Sequence, residues 1–143
     1  MKRNLKNSFR LELCSKSENE SFARQAATVF IAQLDPDLSD LADLRTAVSE
    51  AVTNCIIHAY KNRDGKIYME LGYTETREVY IRIKDKGCGI DDIKQAMTPL
   101  FTGDNSGERG GMGFTIMKSF TDSLKVTSKP GRGTTVTMYK KLK

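Results

Sequence analysis

The chain has 143 residues, of which 38% are hydrophobic and 29% charged, and its formal net charge is +5. This balance is typical of a globular domain, and no apolar run approaches the ~18 residues that span a bilayer. Three scattered cysteines without CxxC spacing argue against a disulfide framework or a zinc site. Basic residues are spread along the chain, so we expect no membrane and no direct nucleic-acid contact. The basic N-terminus lacks a following apolar segment, which predicts a cytoplasmic protein without a signal peptide.

The first predicted elements are a strand and two helices. Residues 8–13 alternate between apolar and polar, as a half-buried strand does. Ser17 and Glu20 have the spacing of a capping box, which opens a helix to about residue 34. The Asp35-Pro36 pair ends that helix. A second helix is predicted from about residue 39 to 60, because apolar residues recur in it at helical spacing.

A row of polar residues lies along the end of this second helix. Glu50, Asn54 and His58 are four residues apart, so a helix places them on one face. A carboxylate and a carboxamide one turn apart can hold a proton acceptor beside a metal ligand. The alternative is an ordinary solvated face, and a lone histidine such as His58 is more often structural.

The second half of the chain is predicted to be strand-rich. The predicted elements are strands at 67–71 and 79–83, a short helix at 91–97, a glycine-rich loop at 98–113, a helix at 114–121, and strands at 124–128 and 134–140. Runs of strands joined as hairpins, next to runs of helices, predict an α+β fold. We expect a two-layer sandwich in which a mostly antiparallel sheet carries its helices on one face, and a single domain covering residues 1–143.

Glycine clusters stand where two of these elements end or begin. Asp85-x-Gly87-x-Gly89 follows a strand, and residues 110–113 (Gly-Gly-Met-Gly) precede a helix. Glycine-rich backbone at a helix N-terminus is suited to binding phosphate, although each cluster alone is more often an ordinary turn. The clusters match neither a Walker A motif nor a Rossmann fingerprint. The Asp85 side chain is suited either to capping the turn or to accepting a hydrogen bond from an exocyclic amine such as that of adenine. Thr134 is either an ordinary strand residue or part of the same binding site.

The order of these motifs resembles a known superfamily. Glu50-x-x-x-Asn54, the Asp85 glycine turn, the 110–113 cluster and Gly133-Thr134 resemble the N, G1 and G2 boxes and final threonine of the ATPases and kinases related to gyrase, histidine kinases and mismatch-repair proteins. Segments 17–24, 49–54, 99–102 and 108–117 are similar to the anti-sigma-factor serine kinases, and most to their sporulation branch. The general-stress branch, which acts on sigma B, is the nearest rival.

The resemblance implies a role for each matching residue. Asn54 would bind Mg²⁺ on ATP, and Glu50 would be the general base for a serine hydroxyl. Asp85 would read the adenine amine together with Thr134. Four glycines would shape the adenine and phosphate sides of the site, namely Gly87, Gly89, Gly111 and Gly113.

The resemblance also implies partners. The protein would inhibit sporulation sigma factor F and phosphorylate a serine of an anti-anti-sigma protein, and it would form a homodimer. Arg109 would neutralise the γ-phosphate or contact the protein substrate, and Arg24 would contact a protein partner. Residues 98–110 would form a lid over ATP. Two alternatives are a nucleotide-gated binding module without phosphoryl transfer and a histidine kinase; the second lacks a separate helical hairpin with a phosphoacceptor histidine.

Overall fold

The computed structural model describes residues 4–97 and 112–143, which contain one five-stranded antiparallel sheet in the order β1-β2-β3-β5-β4. The strands are β1 (Asn7–Cys14), β2 (Lys66–Tyr73), β3 (Glu78–Asp85), β4 (Ser123–Lys129) and β5 (Gly133–Lys141). The helices are α1 (Glu18–Ala32), α2 (Leu38–Thr53), α3 (Ile93–Ala96) and α4 (Gly113–Phe120), and α2 runs directly into a π-helical turn at Asn54–Ala59. The predicted α+β class and antiparallel sheet are therefore confirmed.

One hydrophobic core lies between the sheet and the helices. Alternate residues of the strands face it, because side chains of a strand point to opposite faces in turn. Leu71, Ile81 and Met138 are neighbours across β2, β3 and β5, and all three are fully buried. Leu44 and Val48 of α2 are buried against them. The sheet thereby fixes the position of α2, the helix that carries the predicted polar row.

The predicted capping box at the start of α1 is wrong. Ser17 occupies the N-cap position, but its backbone is already helical and its side chain makes no capping hydrogen bond. A capping side chain needs an extended backbone in order to reach the N–H groups of the first turn. The Glu20 carboxylate instead accepts a hydrogen bond from Arg24 Nε at 3.0 Å. The sequence pattern therefore located the start of the helix, but the Glu20 carboxylate pairs with Arg24 and does not cap the helix.

The predicted helix to about residue 60 is present, but its last turn is π-helical and not α-helical. The chain widens into a π-helix after Thr53, and the Tyr60 N–H bonds the Cys55 carbonyl five residues earlier at 3.0 Å. A π-turn has more residues per turn than an α-helix. Glu50 and Asn54 therefore stay one α-helical turn apart, whereas His58 lies within the π-helical turn, where α-helical spacing no longer applies. Short π-turns inside helices are frequent at functional sites.

No helix in the described parts of the chain is long and apolar enough to cross a membrane. The predicted ATP lid at 98–110, together with Arg109 and Gly111, lies outside the described residues.

Candidate functional site

Asn54 and the first residue of α4 lie in direct contact. A Cβ atom placed on Gly113 would be only 3.0 Å from Asn54 Oδ1 and 3.1 Å from Nδ2. A side chain at this position would push the carboxamide back by a few tenths of an ångström. Glu50 lies one turn before Asn54 on α2 and is buried, with 6% of its surface exposed. The fold therefore brings three sequence-predicted residues of two distant segments together.

The N-terminus of α4 faces this cluster with its backbone donors. Met112 is the N-cap residue and makes no side-chain capping bond, and the helix is 8 residues long. The first N–H groups of a helix have no partner within the helix and carry the positive end of its dipole. Such an end binds phosphate, and a carboxamide oxygen beside it is a hard ligand of the kind that Mg²⁺ takes. The residues present therefore fit a magnesium–phosphate group.

A second cluster forms around Asp85 at the end of β3. The carboxylate is buried at 4% exposure, and its Oδ1 accepts hydrogen bonds from Gly87 N at 2.9 Å and Thr134 N at 3.2 Å. The thiol of Cys55, in the π-turn, also hydrogen-bonds to this carboxylate. Burial raises the pKa of Asp85, and the three hydrogen bonds offset only part of that effect. A buried acid held in this way is typical of a binding site.

The glycine turn after Asp85 is wedged between two other segments. A Cβ on Gly87 would lie 2.5 Å from the Ala59 carbonyl oxygen in the π-turn. Gly89 has a positive φ of 76°, and a Cβ there would collide with the Lys129 carbonyl. The backbone of Cys88 between them donates to Ala59 O at 3.0 Å. Both glycines are required by close approach of the turn to the protein's own backbone, and their predicted place beside a ligand stays a prediction.

The π-turn joins the two clusters. It begins with Asn54 at the α4 side, and it carries Cys55 and Ala59, which contact Asp85 and Gly87. Its wider backbone allows residues so close in sequence to serve both ends of one site. The π-turn thereby links the buried polar cluster around Asp85 with the N-terminus of α4.

Two site residues were missed by the sequence analysis. Ser128 of β4 hydrogen-bonds to Thr134, and the Tyr60 hydroxyl accepts a hydrogen bond from Lys86 N at 2.7 Å. The hairpin register gives a signal for Ser128, because a turn at 130–132 sets it directly opposite Thr134. Nothing in the sequence pattern indicates that the Tyr60 hydroxyl extends to the backbone of Lys86.

Arg24 is not part of either cluster. It lies on α1, partly buried, where its guanidinium pairs with Glu20 at 3.0 Å. Because Arg24 lies away from both clusters, its position is compatible with the predicted contact to a protein partner.

Known proteins place the chain in a family. Residues 15–140 match the histidine kinase-like ATPase domain. The chain is 52% identical over 134 residues to the anti-sigma F factor of Caldanaerobacter subterraneus subsp. tengcongensis, covering 94% of this chain and 93% of that protein. It is 54% identical over 136 residues to the anti-sigma F factor of Clostridium beijerinckii, covering 94% of each.

Solved structures share the fold at low sequence identity. The RsbU and RsbW domains of a Mycobacterium tuberculosis protein align with a TM-score of 0.70 at 19% identity, over 95% of this chain and 32% of that one. The mycobacterial sensor histidine kinase MprB aligns with a TM-score of 0.59 at 14% identity, over 94% of this chain and 99% of that one.

The family resemblance inferred from the sequence motifs is thereby confirmed. The match over residues 15–140 makes the described fold an ATP-binding domain of the kinase-like type. The chain belongs to the histidine kinase-like ATPase family and, within it, to the group of the anti-sigma F factors.

Proposed function

We propose that the protein is an anti-sigma factor and an ATP-dependent protein-serine kinase. It binds and inhibits sporulation sigma factor F, and it phosphorylates a serine of an anti-anti-sigma protein. The observation that carries the proposal is the contact of the Asn54 carboxamide with Gly113 at the start of α4. That contact puts a candidate magnesium ligand, a phosphate-binding helix end and the buried Glu50 in one place.

The nucleotide is held at both ends of the site. Asn54 would bind Mg²⁺, and the backbone of α4 with Gly111 and Gly113 would hold the phosphates. Asp85 and Thr134 would hold adenine through its amine. Gly87 and Gly89 would shape the adenine side of the site, because they let the turn after Asp85 pack against the backbone of Ala59 and Lys129.

Glu50 acts on the protein substrate. A bound Mg²⁺ supplies charge neutralisation at the phosphates, and phosphoryl transfer otherwise needs mainly positioning. Glu50 would take the proton of the attacking serine hydroxyl, which needs hydrogen-bond reach to that hydroxyl. Its burial beside Asn54 keeps the carboxylate away from bulk water and near the phosphate end.

Two arginines complete the proposal. Arg109 would neutralise the γ-phosphate or contact the protein substrate, and residues 98–110 would close over ATP as a lid. Arg24 would contact the sigma factor or the anti-anti-sigma protein. Its ion pair with Glu20 holds the guanidinium at the surface of α1, where a partner's carboxylate can compete for it.

Labelling of an anti-anti-sigma protein tests the kinase proposal. We expect transfer of the γ-phosphate of labelled ATP to a serine, in a linkage that survives acid. Phosphohistidine is acid-labile, so loss of label in acid would support the histidine-kinase alternative. ATP binding without any transfer would support the nucleotide-gated module.

Recovery of the partner tests the choice of sigma factor. We expect sporulation sigma factor F to be retained by the immobilised protein in the presence of ATP. Retention of a general-stress sigma factor instead would place the protein in the sigma B branch.

We also propose a homodimer that acts in the cytoplasm. In the described residues the helices cover one face of the sheet, which leaves the other face for a second copy. Sedimentation equilibrium should give twice the mass of 16.0 kDa. A concentration-independent single-chain mass would refute the dimer.

A further inference from the structure

Ser128 is the centre of a small hydrogen-bond cluster at the base end of the site. Its hydroxyl oxygen accepts from Ile90 N at 2.8 Å and donates to Gly133 O at 2.9 Å. It also lies 2.9 Å from Thr134 Oγ1. The cluster ties the glycine turn after β3 to the β4–β5 hairpin.

The proton positions follow from what each group is able to do. A hydroxyl has one proton to donate and two lone pairs to accept with. A backbone N–H only donates and a carbonyl only accepts, so Ser128 accepts from Ile90 and gives its proton to Gly133. The remaining bond is satisfied only if the Thr134 hydroxyl donates to Ser128. This is the one arrangement that makes all three bonds at once.

The Thr134 hydroxyl therefore has no proton left for a ligand. Thr134 stands directly opposite Asp85 in the β3–β5 register, so the two side chains share a face. The ionised Asp85 carboxylate also only accepts, and its Oδ1 already takes two backbone N–H groups. This end of the site presents acceptors, and a ligand group that binds there has to bring N–H donors.

We propose that Ser128 is a positioning residue that fixes the Thr134 hydroxyl as an acceptor, so that the site selects an amino-purine over an oxo-purine. An exocyclic amine has two N–H donors for such an end, whereas a carbonyl oxygen in its place faces acceptors only. Leaving polar groups without partners gives strong discrimination. The inference rests on the proposed binding of the base at Asp85 and Thr134.

Nucleotide affinities of a Ser128→Ala variant test the proposal. Calorimetry with ATP and with inosine triphosphate, whose base carries an oxygen at the same position, gives the discrimination ratio. We expect Ser128→Ala to weaken ATP binding about tenfold, the worth of one hydrogen bond, and to leave inosine triphosphate unchanged or tighter. The freed Thr134 hydroxyl is then able to donate to the oxygen. Ser128→Thr keeps the hydroxyl and should retain the original ratio.

A merely structural role predicts a different result. If Ser128 only holds the turn and the hairpin together, Ser128→Ala weakens both nucleotides equally and the ratio stays unchanged, which overturns the proposal. In a Thr134→Val background there is no hydroxyl to orient, so Ser128→Ala should change the ratio no further. A further change there would also overturn it. If Ser128→Ala fails to fold, the ATP-to-inosine-triphosphate discrimination ratios of Ser128→Thr and Thr134→Val are compared. A ratio in Thr134→Val that is unchanged from that of Ser128→Thr refutes the proposal.

Asp85→Asn separates this inference from the proposed function. If that variant binds ATP as tightly as the natural protein, the base is not read at Asp85 and the proposed site fails. If it loses ATP while Ser128→Ala keeps the discrimination ratio, the proposed site stands and only the role of Ser128 fails.

Discussion

Asp85 shows a conflict between stability and binding within one residue. Burial raises the pKa of its carboxyl, so the ionised form is costly in the folded protein above that pKa. The hydrogen bonds from Gly87, Thr134 and Cys55 reduce the cost without removing it. A binding site explains why an acid is kept there, because functional groups are often retained at the expense of stability.

Asp85→Asn should therefore stabilise the free protein and weaken nucleotide binding. The amide keeps an acceptor for the two backbone N–H groups, but it presents N–H to an amine donor of the ligand. We expect a higher midpoint of denaturation at neutral pH without nucleotide, and an ADP affinity lower by about 3 kcal/mol, roughly a hundredfold. Calorimetry and urea unfolding measure the two effects. Asp91→Asn, an exposed acid nearby, is the control and should change neither.

The same carboxyl determines whether ADP affinity rises or falls with pH. An amine donor favours the ionised form, so bound nucleotide lowers the pKa of Asp85 from its raised value in the free protein. ADP affinity should be full above that raised pKa and should fall as the pH drops through it. Asp85→Asn should lose this dependence, while titration of the ADP phosphates remains common to both proteins. An identical pH profile in the two would contradict the assignment.

Glu50 is the residue that separates a kinase from a binder. Glu50→Gln keeps the shape of the buried side chain and removes its ability to take a proton. We expect kcat for serine phosphorylation to fall by about 10²–10⁴, with ATP affinity changed only a few-fold. Steady-state kinetics and calorimetry measure the two quantities. Glu75→Gln, in the exposed β2–β3 turn, is the matched control; an unchanged kcat in Glu50→Gln would remove the general-base role.

At the scale of elements, the π-turn and α4 decide how the site is assembled. The π-turn at Asn54–Ala59 points Asn54 at α4 and brings Cys55 to Asp85. The short α4 then favours glycine at its first position, because a Cβ there would press against the carboxamide of Asn54.

Gly113→Ala should separate helix stability from nucleotide binding. Alanine favours a helix over glycine by about 1 kcal/mol, so α4 itself should not be weakened. The new Cβ would lie 3.0 Å from Asn54 Oδ1 and would displace the carboxamide. We expect the affinity for ATP with Mg²⁺ to fall at least about tenfold. This is the effect on affinity of losing one hydrogen bond to a charged group. Ser119→Ala, at an exposed position of α4, also raises helix propensity, though by less than Gly→Ala, and adds no Cβ beside Asn54; equal affinities in the two variants would contradict this.

At the scale of the whole molecule, a buried charge ties the end of the chain to α2. Asp40 is 3% exposed in the first turn of α2, and its Oδ2 accepts a hydrogen bond from Lys143 N at 3.1 Å. Lys140 Nζ lies 3.9 Å from Asp40 Oδ1, and its side chain is 13% exposed. The pair fastens β5, a central strand, to the helix that carries Glu50 and Asn54.

Lys140→Met should destabilise the protein, because it removes the cation that lies 3.9 Å from the buried Asp40 carboxylate and 3.6 Å from that of Asp43. Breaking a buried ion pair by removing one partner costs about 3–5 kcal/mol, and since this pair is long we expect a loss near 3 kcal/mol. Urea unfolding without nucleotide measures the loss. Lys141→Met, next to it and exposed, should change stability by less than about 0.5 kcal/mol. Equal losses in the two variants would show that Asp40 does not depend on Lys140.

The sheet also gathers charge that is scattered along the sequence. Arg82 and Lys84 of β3 lie on the sheet face opposite the helices, and so do Lys125 and Lys129 of β4, as the strand registers show. The sequence predicts that basic residues are not concentrated on one element, and neither β3 nor β4 by itself concentrates them. Glu70 of β2 lies opposite Arg82 on the same face, so the positive patch is confined to the β3–β5–β4 side of the sheet, and it exists only because β5 pairs with β3 on one side and β4 on the other.

Local pattern by itself determined the strands, the helices and the hairpins. Apolar residues at period two or at helical spacing report which side of an element is buried, and that information is local. The motif order from Glu50 to Thr134 was also readable, because glycine and acidic residues mark turns where backbone approaches a ligand. The single-domain extent of 1–143 stays a prediction, as do the roles of Arg109 and Gly111.

Only the tertiary structure decided which of these residues meet. The Asn54–Gly113 contact and the hydrogen bond from Thr134 N to the Asp85 carboxylate join residues far apart in sequence, and the π-helical form of the turn at Asn54–Ala59 is seen only in the folded chain. No local pattern encodes them, because each depends on the register of β3, β5 and β4 and on the packing of α4 against α2. The sequence therefore determined the parts of a nucleotide site, and packing determined the distances between them on which its chemistry depends.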